Sequence, residues 1–160
     1  MTAVVRAALD ELDGPDREGY AAAVEEASTG LAEAGVPVGS SLRRGPEIIG
    51  RGRNRRVQAG DPTAHGEMDC LRSAGRQRTY TDTTLYTTLA PCMMCTGTIL
   101  QFKIPRVVVG EADTFTGDLA FLAGHGVEVV LLDHQPSVGL MAEFQARWPE
   151  VWAEDIAEPP

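Results

Sequence analysis

Thr83-Thr84-Leu85-Tyr86-Thr87-Thr88-Leu89-Ala90-Pro91-Cys92-Met93-Met94-Cys95 is the stretch on which the fold turns. Its first seven residues are β-branched, aromatic or aliphatic, which predicts a strand over 83–89. Pro91 then falls where proline suits the first turn of a helix, and the helix runs to about Phe102. A second β-branched run over 106–109 follows at once, so strand, helix and strand form one parallel crossover unit.

Working outward, residues 118–123 read as a short helix and 127–132 as a strand with a nearly continuous apolar face. Residues 137–148 read as a further helix, followed by an aromatic, acidic tail around Trp152 and Asp155. Upstream, Tyr20, Val24, Ala27 and Leu31 recur at helical spacing over 16–33, and Gly35 supplies the stop. Residues 36–43 and 48–53 read as short strands around a Gly45-Pro46 turn, a hairpin. Thr63 can then cap a helix through His65, Met68 and Leu71 to Gly75. The order α-β-β-α-β-α-β-α-β-α predicts a three-layer α/β/α sandwich with a mixed five-stranded sheet, one domain over 1–160. Residues 1–15 read as a loosely ordered N-terminal extension.

Composition narrows the function. The 160 residues carry 14 Lys plus Arg against 23 Asp plus Glu, a net charge of −9, which disfavours wrapping nucleic acid or lying on anionic membrane. No run of 18 apolar residues exists, and the first 13 residues lack a basic-then-apolar leader pattern. Three cysteines (Cys70, Cys92, Cys95) fit no disulfide framework, so a reducing, cytoplasmic setting is expected.

Two motifs carry chemistry. His65-Gly66-Glu67 precedes Pro91-Cys92-Met93-Met94-Cys95, and each opens a predicted helix at the carboxyl edge of the sheet, where α/β sites form. Cys92 and Cys95, at i and i+3, share one side of a helical first turn whose partial positive charge favours thiolates. One imidazole and two thiolates are a donor set that zinc prefers, and three protein ligands leave the open position of a catalytic site. Glu67 stands at a helix end where its carboxylate can take a proton from a metal-activated water and pass it on. The bland alternatives are a structural zinc with Cys70 as fourth ligand, or buried thiols alone.

The paired H-x-E and P-C-x-x-C motifs resemble those of the cytidine deaminase superfamily, and the chain is most similar to fungal-type cytosine deaminases. The likeness runs from about Tyr20 to Glu158 through Gly35-Val36-Pro37, Gly50-Arg51-Gly52, Met94-Cys95-Thr96-Gly97, Ile104-Pro105-Arg106 and Val108-Val109-Gly110-Glu111. It ends on Trp152 and Glu154-Asp155-Ile156, which members acting on nucleosides or RNA do not generally share.

That resemblance implies one Zn2+ per chain with a bound water or hydroxide, held by His65, Cys92 and Cys95, with Glu67 as proton shuttle. It implies that Asn54 and the Gly66 N–H bind the ring and that Asp155 and the Ala90 carbonyl face the exocyclic amine. Phe115, Trp152 and Val38 would enclose the ring. The implied activity is hydrolysis of cytosine to uracil and ammonia by a homodimer, with no membrane or nucleic-acid partner. Val38 and Ala90 depart from the larger isoleucine and the serine of similar sequences, so another aminated ring (5-methylcytosine, guanine, creatinine or an aminotriazine) is the competing substrate class. By themselves, Asn54 reads more readily as a turn residue, Phe115 and Trp152 as core or dimer-interface aromatics, and Asp155 as a solvated acid. An RNA-editing or RNA-binding role would rest on Arg51, Arg53, Arg55 and Arg56, four arginines in six residues.

Overall fold

The computed structural model describes residues 2–159. Its strands are β1 (Val4–Arg6), β2 (Gly39–Arg44), β3 (Glu47–Arg53), β4 (Thr83–Leu89), β5 (Arg106–Glu111) and β6 (Glu128–Leu131). Its helices are α1 (Gly14–Ala32), α2 (Arg56–Ala59), α3 (Gly66–Ala74), α4 (Met93–Gln101), α5 (Leu119–Gly124), α6 (Gln135–Arg147) and α7 (Pro149–Asp155). The strands form one sheet in the order β1-β6-β5-β4-β2-β3. β4, β5, β6 and β1 are parallel, whereas β2 runs antiparallel to both β3 and β4, which makes the sheet mixed.

Alternation along the parallel strands builds two cores. Leu85, Val107, Val109, Val129 and Leu131 point to one face, where they meet Cys70 of α3, Ile99 of α4 and Leu122 of α5. Tyr86, Val108, Val130 and Leu132 point to the other, against Tyr20 and Ala23 of α1. A strand buried on both faces needs apolar or neutral residues in both registers, which is why these runs read as continuously apolar. A third cluster joins Val36, Val38 and Leu89 to Met141, Phe144 and Trp152 of α6 and α7 at the carboxyl end of β4.

The structure corrects the sequence reading in several places. The sheet has six strands rather than five, and the added strand lies within the stretch read as a loose extension. Val4, Val5 and Arg6 pair in parallel register with Val129, Val130 and Leu131, and a 3-10 turn over Leu9–Glu11 leads on to α1. Three half-exposed residues carry too little alternation to be seen as a strand; the buried valines of β6 supply the missing partner. α3 begins at Gly66, with His65 at its N-cap, because Thr63 turns back onto Asp61 through a hydrogen bond of 2.9 Å from its N–H to Oδ1. The tail around Trp152 is a helix, with Pro149 at its first turn.

Candidate active site

Two loop-to-helix junctions build the centre of the site. His65 and Cys92 are the N-cap residues of α3 and α4, and Cys95 lies one turn into α4. The Sγ atoms of Cys92 and Cys95 lie 3.4 and 3.8 Å from His65 Nδ1, and all three donor atoms fall within 4.8 Å of one another. Tetrahedral zinc with bonds of about 2.1 Å to nitrogen and 2.3 Å to sulfur would set nitrogen and sulfur about 3.6 Å apart. The donor set therefore fits zinc in both chemistry and spacing. Cys70 is not part of it: it is fully buried in the α3–α5 core, where burial pushes its thiol pKa up.

The donors divide their protons unequally. The hydrogen bond from Cys95 pulls the Cys92 thiol down to about 4 against the opposing effect of burial, with His65 assisting. Cys95, the donor in that pair, is pushed up by the same bond and by burial. Burial works against the charged form of His65, but Asp155 and Cys92 outweigh it and lift the ring to about 10. A divalent cation entering this set displaces protons, so its affinity falls with acidity.

Glu67, in the first turn of α3, is buried beside the donors. Its Oε1 accepts from the Thr87 hydroxyl at 2.6 Å, and its Oε2 lies 3.1 Å from Cys95 Sγ. Gly66 precedes it because the segment before β2 runs close by: a Cβ there would sit 3.0 Å from the Val38 carbonyl oxygen.

Around this centre lies a cavity of about 350 Å³, lined by His65, Gly66, Glu67 and Cys92 together with Val38, Asn54, Ala90, Phe115, Trp152 and Asp155. The residues singled out in the sequence thus come together, with Cys95 buried directly behind the wall. Pro62, Leu89, Met94 and Ile156 also line it, and the sequence reading did not mark them. Nor did it mark Thr87, whose role depends on a strand-to-helix approach that local pattern does not encode.

α7 supplies the outer wall, with Trp152 and Asp155 one turn apart facing inward. Asp155 Oδ2 accepts from Asn54 Nδ2 at 3.0 Å, while Asn54 Oδ1 accepts from the Arg56 N–H at 3.0 Å, which fixes the amide orientation. Asp155 Oδ1 lies 2.9 Å from His65 Nε2 and 3.6 Å from Arg56 Nε. The cavity is therefore lined by a buried carboxyl acceptor anchored on the metal-binding histidine and on Asn54.

The arginine cluster turns out to be internally neutralised. Arg51 pairs with Glu25 and Glu26, Arg53 with Glu26 and Glu33, and Arg55 with Asp69. Arg56, only 11% exposed, reaches Glu154 and Asp155 of α7 at 3.5 and 3.6 Å and donates to the Pro62 carbonyl. These cations brace helices against β3 and the loop that follows it rather than forming a free basic face. No helix among the described residues is long and apolar enough to cross a membrane.

The chain is similar to known proteins in both sequence and structure. The family model for the cytidine and deoxycytidylate deaminase zinc-binding region matches residues 15–111. A cytosine deaminase of Candida albicans is 43% identical over 146 residues, covering 89% of this chain and 97% of the relative. Among solved structures, a guanine deaminase from Bacillus subtilis superposes with a TM-score of 0.57 at 27% identity, covering 70% of this chain and 76% of its own. A structure from work on A-to-I editing by tRNA:A34 deaminases gives a TM-score of 0.62 at 26% identity, over 72% and 97% of the two chains.

Proposed function

Since the chain belongs to the cytidine and deoxycytidylate deaminase zinc-binding family, we propose that it is a zinc-dependent hydrolase of a small free nucleobase, converting cytosine and water to uracil and ammonia. The observation that carries the free-base reading is the buried Asp155 carboxyl on a helix that walls the cavity beside Trp152. An acceptor so placed calls for an N–H donor from a ligand, and an exocyclic amine provides one. A wall at that position also leaves little room for a ribose. The same full-length similarity to a cytosine deaminase supports the reading.

When bound by His65, Cys92 and Cys95, zinc supplies Lewis acidity toward the water that is the reagent of the hydrolysis. The remaining steps belong to the protein. The ring enters between Phe115 and Trp152, with Val38 beside it. Asn54, whose Nδ2 donates one hydrogen to Asp155, offers the other to the ring carbonyl, and the Gly66 N–H assists. The amine donates to Asp155, with the Ala90 carbonyl also facing it. Glu67, steadied by Thr87, accepts a proton from the attacking water, delivers it to the ring nitrogen, and later carries a proton to the departing ammonia. Trp152 and Phe115 exclude bulk water while these transfers occur.

A second ring class keeps the same chemistry. The small side chains of Val38 and Ala90, with a guanine deaminase among the structural neighbours, favour testing guanine and 5-methylcytosine beside cytosine. Measured ammonia release from purified, zinc-quantified protein decides: turnover of cytosine with little of cytidine supports the reading, and silence toward every free base refutes it. A reducing, cytoplasmic setting suits the two metal-binding thiols, and a homodimer is the assembly we propose, to be tested by light scattering.

A further inference from the structure

Glu111, the last residue of β5, is fully buried, and no cation among the described residues pairs with it. Its Oε2 accepts from the backbone N–H groups of Asp113 and Thr114 at 2.8 and 2.9 Å, while its Oε1 is buried with no partner. Burying a carboxylate on two donors alone is costly, so stability does not explain it. What it achieves is geometric. The two N–H groups belong to the loop that delivers Phe115 to the cavity, and the Glu111 carbonyl accepts at 2.8 Å from the N–H of Ala90, beside the cysteine loop. Gly117 closes the same loop with φ of 55° and lies against the Pro91 carbonyl, where a Cβ would come within 2.8 Å.

We propose that Glu111 is a positioning residue: its carboxylate folds the 112–117 loop so that Phe115 forms one wall of the cavity, in register with the strand end that carries Ala90. The part of the inference that concerns substrate rests on the deaminase reading above; the part that concerns the loop does not.

Glu111→Gln and Glu111→Met in the zinc-loaded, full-length protein test it. Methionine is close in size, so it removes the acceptor without opening a large cavity, and it leaves the Asp113 and Thr114 N–H groups to find water instead. Hydrogen exchange at the Asp113 and Thr114 amides should accelerate at least about tenfold in Glu111→Met, since each bond to a charged acceptor protects by more than a factor of ten. The glutamine variant, which keeps one acceptor oxygen, should fall between it and the parent. Melting temperature should fall by no more than a few degrees, and zinc should remain at one per chain. KM for cytosine should rise about tenfold with kcat within about threefold, the loss of one aligned wall. Unchanged exchange at both amides in the folded variants would overturn the proposal, as would a fall in melting temperature without loosening of the loop. A parent enzyme inert toward cytosine would refute the substrate reading alone, because the exchange readout needs no substrate.

Discussion

The Thr87 hydroxyl donates to Glu67 Oε1 at 2.6 Å, with both side chains buried, so one oxygen of the proposed proton carrier is tethered to β4 and the other faces the metal-binding sulfurs. Glu67→Gln should keep zinc and lose nearly all turnover; residual activity above about a tenth of the parent's would remove Glu67 from the proton path. Thr87→Val should lower kcat about tenfold at near-constant KM, because it frees the carboxylate without touching the ring, and Thr87→Ser should restore most of it. Steady-state kinetics on the three variants, with zinc measured by atomic spectroscopy, checks both.

Asp155→Asn replaces a charged acceptor facing the amine with a neutral amide. The expected loss is about a hundredfold in kcat/KM for cytosine, given that a hydrogen bond to a charged partner contributes about 1.5–3 kcal/mol. Because Asp155 also abuts His65, zinc affinity should weaken by about tenfold in the same variant. Titration with a competing chelator reads that second effect independently of turnover.

Zinc should depend on Cys92 and not on Cys70. Cys92→Ser should drop below one zinc per chain and lose activity. Cys70→Ser should retain one zinc, because Cys70 packs in the apolar core and is absent from the donor set. Loss of stoichiometric zinc in Cys70→Ser would count against a three-ligand site and against hydrolysis.

Acid sensitivity should centre on Asp16. Burial raises its pKa, but the hydrogen bonds from Arg106 and Tyr86, and the charges of Arg106 and Arg43, more than offset it and hold the carboxyl below its usual range. A depressed folded pKa gives stability that is complete above the unfolded value of about 3.9 and is lost as pH falls through the folded one. Asp16→Asn should therefore cost about 3 kcal/mol near neutrality, leaving Arg106 and Arg43 without their shared anion, and the gap should close below about pH 4. Urea denaturation at a series of pH values measures it.

Nucleic-acid binding should be absent. With each arginine of the β3 cluster already paired to α1, α3 or α7, few free cations remain to displace counterions from a phosphate backbone. A filter-binding assay with tRNA at low salt should show no salt-dependent retention.

How much of this was legible beforehand varied by element. The parallel strands and their helices were visible because burial on both faces leaves an unbroken apolar run, as in Val127 to Leu132. The metal donors were visible because His65, Cys92 and Cys95 must sit on helix ends at fixed spacing. β1 was not, since a three-residue edge strand takes its register from β6 and not from itself. α7 was not, because only Trp152 of its seven residues is buried and amphipathic spacing needs more turns to register. The arginine run left its partners unread: charge sequence shows cations, but the acids that neutralise them come from α1, α3 and α7, far along the chain.

The placement of α7 also gives the cavity an order of construction. A ribosome that has read through Arg147 has already made every strand of the sheet and every donor of the metal set. Trp148, which ends α6 and caps α7, and the seven residues after it come later. A chain cut after Arg147 would keep every one of those donors yet lose the outer wall, leaving the thiols open to solvent and oxidants. The seven residues of α7 are thus what turn an open cluster of metal donors into an enclosed, selective vessel.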